Sequence, residues 1–262
     1  MSSIEAADLL AVLKKSKRID TAHRSREVCG RVFRYAIATG RAKHDIAADL
    51  VGALAPRTTT HHAAITDPVK VGELLRAIDG YDGQPTTAAA LQLAPYVFVR
   101  PTELRAAEWS ETHLEGDQPE RQIPAERMKM RETHIVPLSQ PNRRNSAEVS
   151  GRHRYVFPAI GGAGRPIGEN TLNGALRRIG YPGDEMTAHG FRTLVSTLLN
   201  EQGGHPDLIE LQLAHAERNT VRAAYNRAQR LAERRVMMQN WADYLDRPKS
   251  VESVATQVNA AY

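Results

Sequence analysis

Apolar residues recur at helical spacing over most of this chain, and their period changes to that of β-strands in one stretch. That stretch runs from Glu111 to Ser139, where residues 122–127 and 134–138 are predicted to form two strands joined by a short turn. On its C-terminal side, helical spacing extends from Thr171 to about Met238. The sequence therefore predicts a mainly α-helical fold with a small antiparallel β-sheet.

Residues 56–68, PRTTTHHAAITDP, interrupt the helical pattern. Prolines and a run of threonines between two periodic segments are typical of a linker. We expect a helical domain over residues 1–60, a linker over 61–67, a larger domain over 68–247 and a flexible tail over 248–262. His61 and His62 lack the i,i+4 spacing of a helical metal-binding pair, so we interpret them as linker residues.

The strongest helix of the first domain is predicted to start at Thr21, with a buried face recurring through residues 28–37. A third, short helix is expected over residues 45–54. Another face of the strong helix carries Arg24, Arg31 and Arg34. Such a row of arginines can follow a phosphate backbone. For any single one of them, however, an ordinary solubilising surface arginine is the preferred interpretation.

Basic charge is concentrated at the N-terminal end. The formal net charge is +5, and residues 1–66 contain 11 Lys and Arg against 6 Asp and Glu, so this segment accounts for the whole excess. A basic domain beside a neutral one suits a polyanionic partner, although a solvated basic surface has the same composition.

Several classes of protein are disfavoured by the sequence. No apolar run reaches the roughly 18 residues of a membrane span. The N-terminus MSSIEAADLL contains acids where a signal peptide is basic, so export is not expected. Cys29 is the single cysteine, which excludes an intrachain disulfide, and no sequence motif suggests a metal site.

Four separated motifs carry the residues that phosphoryl transfer requires: VFVRPTELR, RMKMRETHIVPLS, TAHGFR and LAHAERNTVRAAYNRA. Arginine and histidine side chains can surround a phosphodiester, and a tyrosine hydroxyl can attack it and hold it covalently. Each motif is weak when it is taken alone. The candidate catalytic residues are Arg100, Lys129, His189, Arg192, His215 and Tyr225.

In order, spacing and residue type, the four motifs resemble those of the tyrosine recombinase, or phage integrase, family, and especially the integrases of P4-type prophages and genomic islands. Residues 21–66 resemble the core-binding domain of that family, and residues 67–245 resemble its catalytic domain. The likeness implies a tyrosine-recombinase catalytic fold after a partial helical core-binding domain. An arm-binding domain is not expected, so the chain looks like an N-terminally shortened form.

The resemblance implies that Arg100 and Arg192 bind the phosphate and that His189 accepts a proton. Thr102 stands where the family usually has a glycine. His189 and Arg192 match the family pattern H-x-x-R, and Thr187 is expected to cap their helix.

Lys129 corresponds to the family's hairpin lysine, which donates a proton to the departing 5′ oxygen. Glu132 lies close by in sequence and would oppose that role if it paired with the lysine. His215 would hydrogen-bond the phosphate, and Tyr225, ten residues later, would be the nucleophile. Ala214 replaces the glycine of the family's LGH motif.

The first functional hypothesis is a site-specific DNA recombinase that integrates or excises a mobile element, without metal or cofactor. The likeness implies double-stranded DNA at attachment sites as a partner, a tetramer on DNA, and an accessory DNA-bending or directionality factor. A bacterial cytoplasmic location at the nucleoid is expected, with no membrane partner. Two alternatives remain: a DNA-binding remnant that has lost turnover, and a type IB topoisomerase-like enzyme.

An apolar stripe on the last predicted helix, between Leu231 and Leu245, has two interpretations. Family resemblance implies that the helix after Tyr225 docks on a neighbouring protomer. The stripe can equally pack on its own domain.

Overall fold

The computed structural model describes residues 4–57, 62–129, 131–139, 153–215 and 230–259, and at residues 162, 163 and 248–259 it describes the backbone alone. The chain divides into two compact units, Met1–His61 and His62–Tyr262. None of the helices in these ranges is long and apolar enough to cross a membrane.

The N-terminal unit contains the helices α1 (Ala6–Lys14) and α2 (Ile19–Ala38). Its small core buries Leu13 of α1 and Ala22 of α2 against Leu50 and Leu54. Helix α2 begins before Thr21, because Arg18 takes the extended cap conformation and Thr21 lies inside the first turn.

The third short helix expected over residues 45–54 is wrong. The segment forms consecutive turns, in which Ala48 N–H donates to Asp45 O and Val51 N–H donates to Ala48 O. These bonds join residues three apart, whereas an α-helix joins residues four apart. Gly52, at a φ of 84°, then leaves the right-handed helical region altogether.

The predicted buried face of α2 is only partly correct. Phe33 and Ala36 are buried, but Val28, Val32 and Ile37 are between 39% and 47% exposed. The spacing identified the helix, yet it could not show how much of the apolar face the small unit covers.

The C-terminal unit is mainly helical, as predicted. Its helices are α3 (Pro68–Asp79), α4 (Pro85–Val97), α5 (Pro101–Arg105), α6 (Thr171–Arg178), α7 (Gly190–Glu201), α8 (Pro206–Gln212) and α9 (Leu231–Asn259). One small antiparallel sheet has the order β1-β2-β3, formed by Thr112–His113, Glu120–Ile123 and His134–Pro137. A second pairs β4 (Pro158–Ala159) with β5 (Gly162–Pro166).

The predicted hairpin between β2 and β3 is present, with Ile123 opposite His134. Strand β2 ends four residues earlier than predicted, because Pro124 follows and has no N–H to donate to the ladder. The connection over residues 124–133 includes a 3₁₀ turn at Ala125–Arg127, so it is longer than the short turn that we expected.

The start of α3 agrees with the sequence. The Asp67 carboxylate accepts hydrogen bonds from Val69 N (2.9 Å) and Lys70 N (3.0 Å), with Pro68 at the first helical position of α3. Pro101 likewise occupies the first helical position of α5. This short helix matters for function because Arg100 immediately precedes it.

Helix α9 packs its apolar stripe on its own domain. Met238, Trp241, Ala242 and Leu245 are buried in the main core, and the helix contacts α3, α4, α8 and β3. The structure therefore favours the second of the two interpretations of the stripe. The backbone of α9 stays helical to Asn259, whereas the sequence predicts a tail from residue 248.

Candidate active site

Arg100 is fixed at the N-terminus of α5 by a carboxylate. Glu103 accepts a bond from the Arg100 backbone N–H (2.7 Å) and another from the guanidinium Nη1 (2.7 Å). Glu103 is only 5% exposed. The Nη2 of Arg100 reaches across to the carbonyl of Ala214 (3.3 Å), which lies after α8. Arg100 is thus held in one orientation by two separate elements.

Arg192, in the first turn of α7, is buried, and its guanidinium donates hydrogen bonds to three separate groups. It donates to Phe98 O, to Leu213 O (2.6 Å) and to the ring nitrogen Nε2 of His215 (2.9 Å). Burial, followed by the nearby charge of Arg100, lowers the pKa of Arg192 to about 10. It therefore remains cationic at neutral pH.

His215 owes its position to the way α8 ends. Ala214 takes a left-handed conformation with a φ of 49°. Its N–H donates to Leu211 O (3.1 Å), and the N–H of His215 donates to Glu210 O (3.1 Å). These two bonds define a Schellman helix end, in which the left-handed residue is usually glycine. Ala214 therefore adopts the conformation that the family's glycine would favour, at some cost in strain.

The ring of His215 links Glu210 to Arg192. Its Nδ1 lies 2.8 Å from Glu210 Oε2, while its Nε2 faces Arg192. A guanidinium can only donate, so Nε2 must accept and the ring proton belongs on Nδ1. Glu210 consequently selects the tautomer of His215 that leaves Nε2 unprotonated.

His189 lies at the N-cap of α7, half-buried, with its ring centroid 4.3 Å from that of His62. No hydrogen bond to this ring comes from the part of the chain that the structure describes. Burial, followed by the charges of His62 and Arg192, lowers the pKa of His189 to about 4. His189 is therefore neutral at neutral pH and able to accept a proton.

We call Arg100, His189, Arg192 and His215 the cationic cluster. The structure brings these four predicted residues together from α5, α7 and the end of α8. No group of three or more His, Cys, Asp and Glu residues within the described ranges is suited to a metal ion. The cluster instead suits an oxyanion, because buried guanidinium donors favour phosphate and carboxylate oxygens.

The structure does not place the other two predicted catalytic residues in the cluster. Lys129 is exposed in the β2–β3 connection, and among described residues its ammonium makes neither a hydrogen bond nor an ion pair. In particular, Glu132 does not pair with it. Tyr225 lies outside the described residues, as does the predicted start of the last helix near Thr220.

The connection that carries Lys129 is tied to α5. Arg127 forms hydrogen bonds with the Glu111 carboxylate and with Ala106 O, next to the end of α5. Arg121, buried in β2, donates to Glu103 O (2.9 Å) and to Glu111 Oε2 (3.0 Å). The position of the hairpin is therefore linked to that of Glu103, the residue that fixes Arg100.

Another set of buried hydrogen bonds connects α9 and β3 to Gln212 of α8. Arg234 of α9 donates to Gln212 Oε1 (2.9 Å), while His134 of β3 lies 3.2 Å from Gln212 O through Nε2. Burial, followed by Arg234, lowers the pKa of His134 to about 3. His134 is therefore neutral and donates from Nε2 to this carbonyl, which can only accept.

Sequence reasoning missed four residues that support the cluster. Glu103 had a usable signal, because an acid at the third position of a helix commonly bonds back to the cap residue. No pattern pointed to Glu210, His134 or His62. Their contacts depend on how the chain turns after α8, on the hairpin register, and on the path of the segment before α3.

The three arginines predicted to bind DNA are exposed on α2. Arg34 forms an ion pair with Asp45 (3.2 Å), so part of its charge is already compensated. No ion pair of Arg24 or Arg31 with another described residue is present.

Comparison with known proteins gives a consistent similarity. The sequence profile described as Phage integrase family matches residues 66–231, and the profile Phage integrase central domain matches residues 1–53. Putative protein IntB of Escherichia coli (strain K12) is 37% identical over 265 residues, covering 94% of this chain and 67% of that protein. The Integrase of Enterobacteria phage P4 is 38% identical over 264 residues, covering 93% of this chain and 60% of that protein.

Solved structures with the same fold include a lambda integrase(75-356) dimer bound to a COC′ core site, with a TM-score of 0.61 and 17% identity. That alignment covers 88% of this chain and 82% of the lambda chain. A lambda integrase tetramer bound to a Holliday junction gives a TM-score of 0.62 at 17% identity, covering 84% of this chain and 66% of the other. At such identities the likeness establishes the fold alone.

Proposed function

Because the chain belongs to the phage integrase family of tyrosine recombinases, we propose that it is a site-specific recombinase that cuts and rejoins DNA through a covalent 3′-phosphotyrosine. The chain spans 60% to 67% of the length of the two relatives described above, so the activity of the whole protein is part of this proposal. The observation that carries it is the convergence of the cationic cluster from three distant segments.

In the proposed reaction, Arg100 and Arg192 bind the nonbridging oxygens of the scissile phosphate. Charge grows on these oxygens as the displacement proceeds, so donors already fixed in place stabilise the transition state. Glu103 and the backbone carbonyls hold both guanidinium groups before DNA arrives. No metal ion or other cofactor is required for this arrangement.

The proton transfers are assigned to side chains near the phosphate. Tyr225 attacks phosphorus and becomes joined to the 3′ side of the break, while neutral His189 accepts the phenolic proton. Lys129 donates a proton to the departing 5′ oxygen. His215 can donate to a phosphate oxygen from Nε2 only after that nitrogen gains a proton, which would replace its present contact with Arg192.

The proposed partner is double-stranded DNA at an attachment site, and both the N-terminal domain (residues 1–60) and the catalytic domain (68–247) are proposed to bind it. A lambda integrase tetramer on a Holliday junction is among the proteins with this fold, which supports a tetramer on DNA here. An accessory bending or directionality factor and association with the nucleoid are further proposals, which rest on membership of the family.

Covalent capture on DNA tests this function. A nicked suicide duplex that contains the target site should trap a protein–DNA adduct with the wild-type chain, because the cleaved strand diffuses away and cannot be rejoined. Tyr225→Phe should bind the same duplex and form no adduct. Denaturing gel electrophoresis of labelled DNA measures the trapped fraction.

The capture assay and a plasmid relaxation assay separate the two alternatives. Salt-dependent binding without an adduct in either protein would identify a DNA-binding remnant and overturn the proposed recombinase. Relaxation of a supercoiled plasmid that lacks the target site would instead favour the topoisomerase-like enzyme.

The exposed arginines of α2 give a second prediction. Replacing Arg24 and Arg31 together by glutamine should weaken DNA binding for every duplex sequence, since phosphate contacts carry no base information. The slope of log affinity against log salt concentration should fall by about one for each lost phosphate contact. Fluorescence anisotropy over a salt series measures both quantities.

A matched control removes the same charge elsewhere in the N-terminal unit. Arg41 and Lys43 are exposed and follow α2, so their double glutamine variant should leave the salt slope nearly unchanged. Equal losses in both variants would show that general basic charge, rather than this face of α2, attracts the DNA.

A further inference from the structure

His62, the first described residue of the C-terminal unit, lies against the ring of His189. The two ring centroids are 4.3 Å apart and the planes are tilted by 42°. His62 was predicted to be a linker residue, but in the structure its ring has a specific neighbour. That neighbour is the proposed proton acceptor of the reaction.

The backbone beside His62 is fixed to the start of α7. Ala63 O accepts hydrogen bonds from the Thr187 N–H (3.2 Å) and from its hydroxyl (3.3 Å). The same hydroxyl accepts from Gly190 N (3.0 Å), although the N-cap of α7 is His189 and not the predicted Thr187. Because Thr187 and Gly190 flank His189, these bonds hold the backbone next to His62 beside the backbone that carries His189.

Gly190 is needed for this close approach. A Cβ added at Gly190 would lie 2.2 Å from Ala63 O, which is far inside van der Waals contact. The next residues continue the attachment, since Ile65 is buried in the main core. The contact between the histidines is therefore built from several backbone interactions and does not depend on one flexible side chain.

We propose that His62 is a positioning residue that fixes the imidazole of His189 by packing its tilted ring against it, an inference that rests on the proposed function. The neighbouring ring limits rotation of His189 and shields part of it from water. His62 itself need not touch the DNA or exchange a proton. A base held in one orientation near its proton donor reacts faster than one that samples several.

The other groups near His189 are basic side chains. Arg192 faces it from its own helix, Arg100 from α5, and His215 from the end of α8, in addition to His62. Burial is the largest cause of its lowered pKa, followed by His62. Removing the His62 ring would reduce both effects, so the pKa of His189 should rise from about 4 toward its ordinary 6.5.

The test compares His62→Ala with His62→Phe in the full chain. Nuclear magnetic resonance titration of the His189 ring, assigned with His189→Gln, should show a higher midpoint in His62→Ala. In the suicide-duplex assay, the acidic limb of the cleavage profile should move to higher pH, and the rate there should fall about tenfold. Phenylalanine keeps a covering ring, so it should restore most of the rate, and DNA affinity should not change.

His113→Ala serves as the matched control, because His113 is an exposed histidine on β1. The proposal is overturned if His62→Ala leaves both the His189 midpoint and the acidic limb unchanged, or if His62→Phe is as slow as His62→Ala. The titration needs no DNA. A shifted midpoint in a chain that forms no adduct would therefore support the positioning role of His62 while refuting the proposed recombinase.

Discussion

Arg192→Lys should lower the single-turnover rate of covalent adduct formation by about 10²–10³-fold, the usual cost of removing a donor aimed at developing charge. Lysine keeps the positive charge, but it cannot direct donors in one plane at Phe98 O, Leu213 O and His215 Nε2. The loss should therefore come from geometry rather than from charge.

Quench-flow or manual sampling with the suicide duplex at saturating protein measures this rate. Arg178→Lys provides the matched control, because Arg178 lies on α6 with its guanidinium over the ring of Tyr81. If Arg192→Lys cleaves at the wild-type rate, the planar hydrogen-bonding pattern of Arg192 has no part in catalysis.

Trp241→Ala is expected to lower the free energy of unfolding by about 3–5 kcal/mol, the typical cost of truncating a fully buried tryptophan. Trp241 is 1% exposed, and its ring meets Phe98 edge-on with centroids 5.9 Å apart. Its Nε1–H donates to Pro95 O (2.9 Å). That carbonyl belongs to the last turn of α4, where helix carbonyls have no partner within the helix.

Urea unfolding of the full chain, followed by circular dichroism, measures this loss. Trp241→Phe keeps an aromatic ring but not the donor, so it should lose substantially less stability. Equal and small losses in both variants would contradict the packing of α9 on its own domain. A helix that docks only on a neighbouring protomer would not stabilise the isolated chain.

Local chemistry made several helices predictable. Asp67 and Pro68 fix the start of α3 through one carboxylate and one restricted φ angle, and neither depends on distant residues. The length of β2 was overestimated, although Pro124 was visible in the sequence and marks its end. The short helix expected over residues 45–54 failed for a different reason, since its apolar spacing is also satisfied by the turns that bury Leu50 and Leu54.

The candidate site, too, could be predicted only in part. Family resemblance supplied its residues, but it could not supply their partners, which come from segments that are distant in sequence. Glu210 contacts the His215 ring only because Ala214 reverses the chain. His62 reaches His189 only because Gly190 has no side chain. Such contacts depend on exact backbone paths, which spacing and composition do not determine.

The most direct test of the central claim is to identify the amino acid that carries the DNA in the trapped adduct. After nuclease and protease digestion, mass spectrometry should find one peptide that bears a nucleotide, joined through a 3′-phosphate to the Tyr225 oxygen. Attachment to another residue, such as Tyr244 on α9, would contradict the account. So would an adduct of equal yield from the Tyr225→Phe chain.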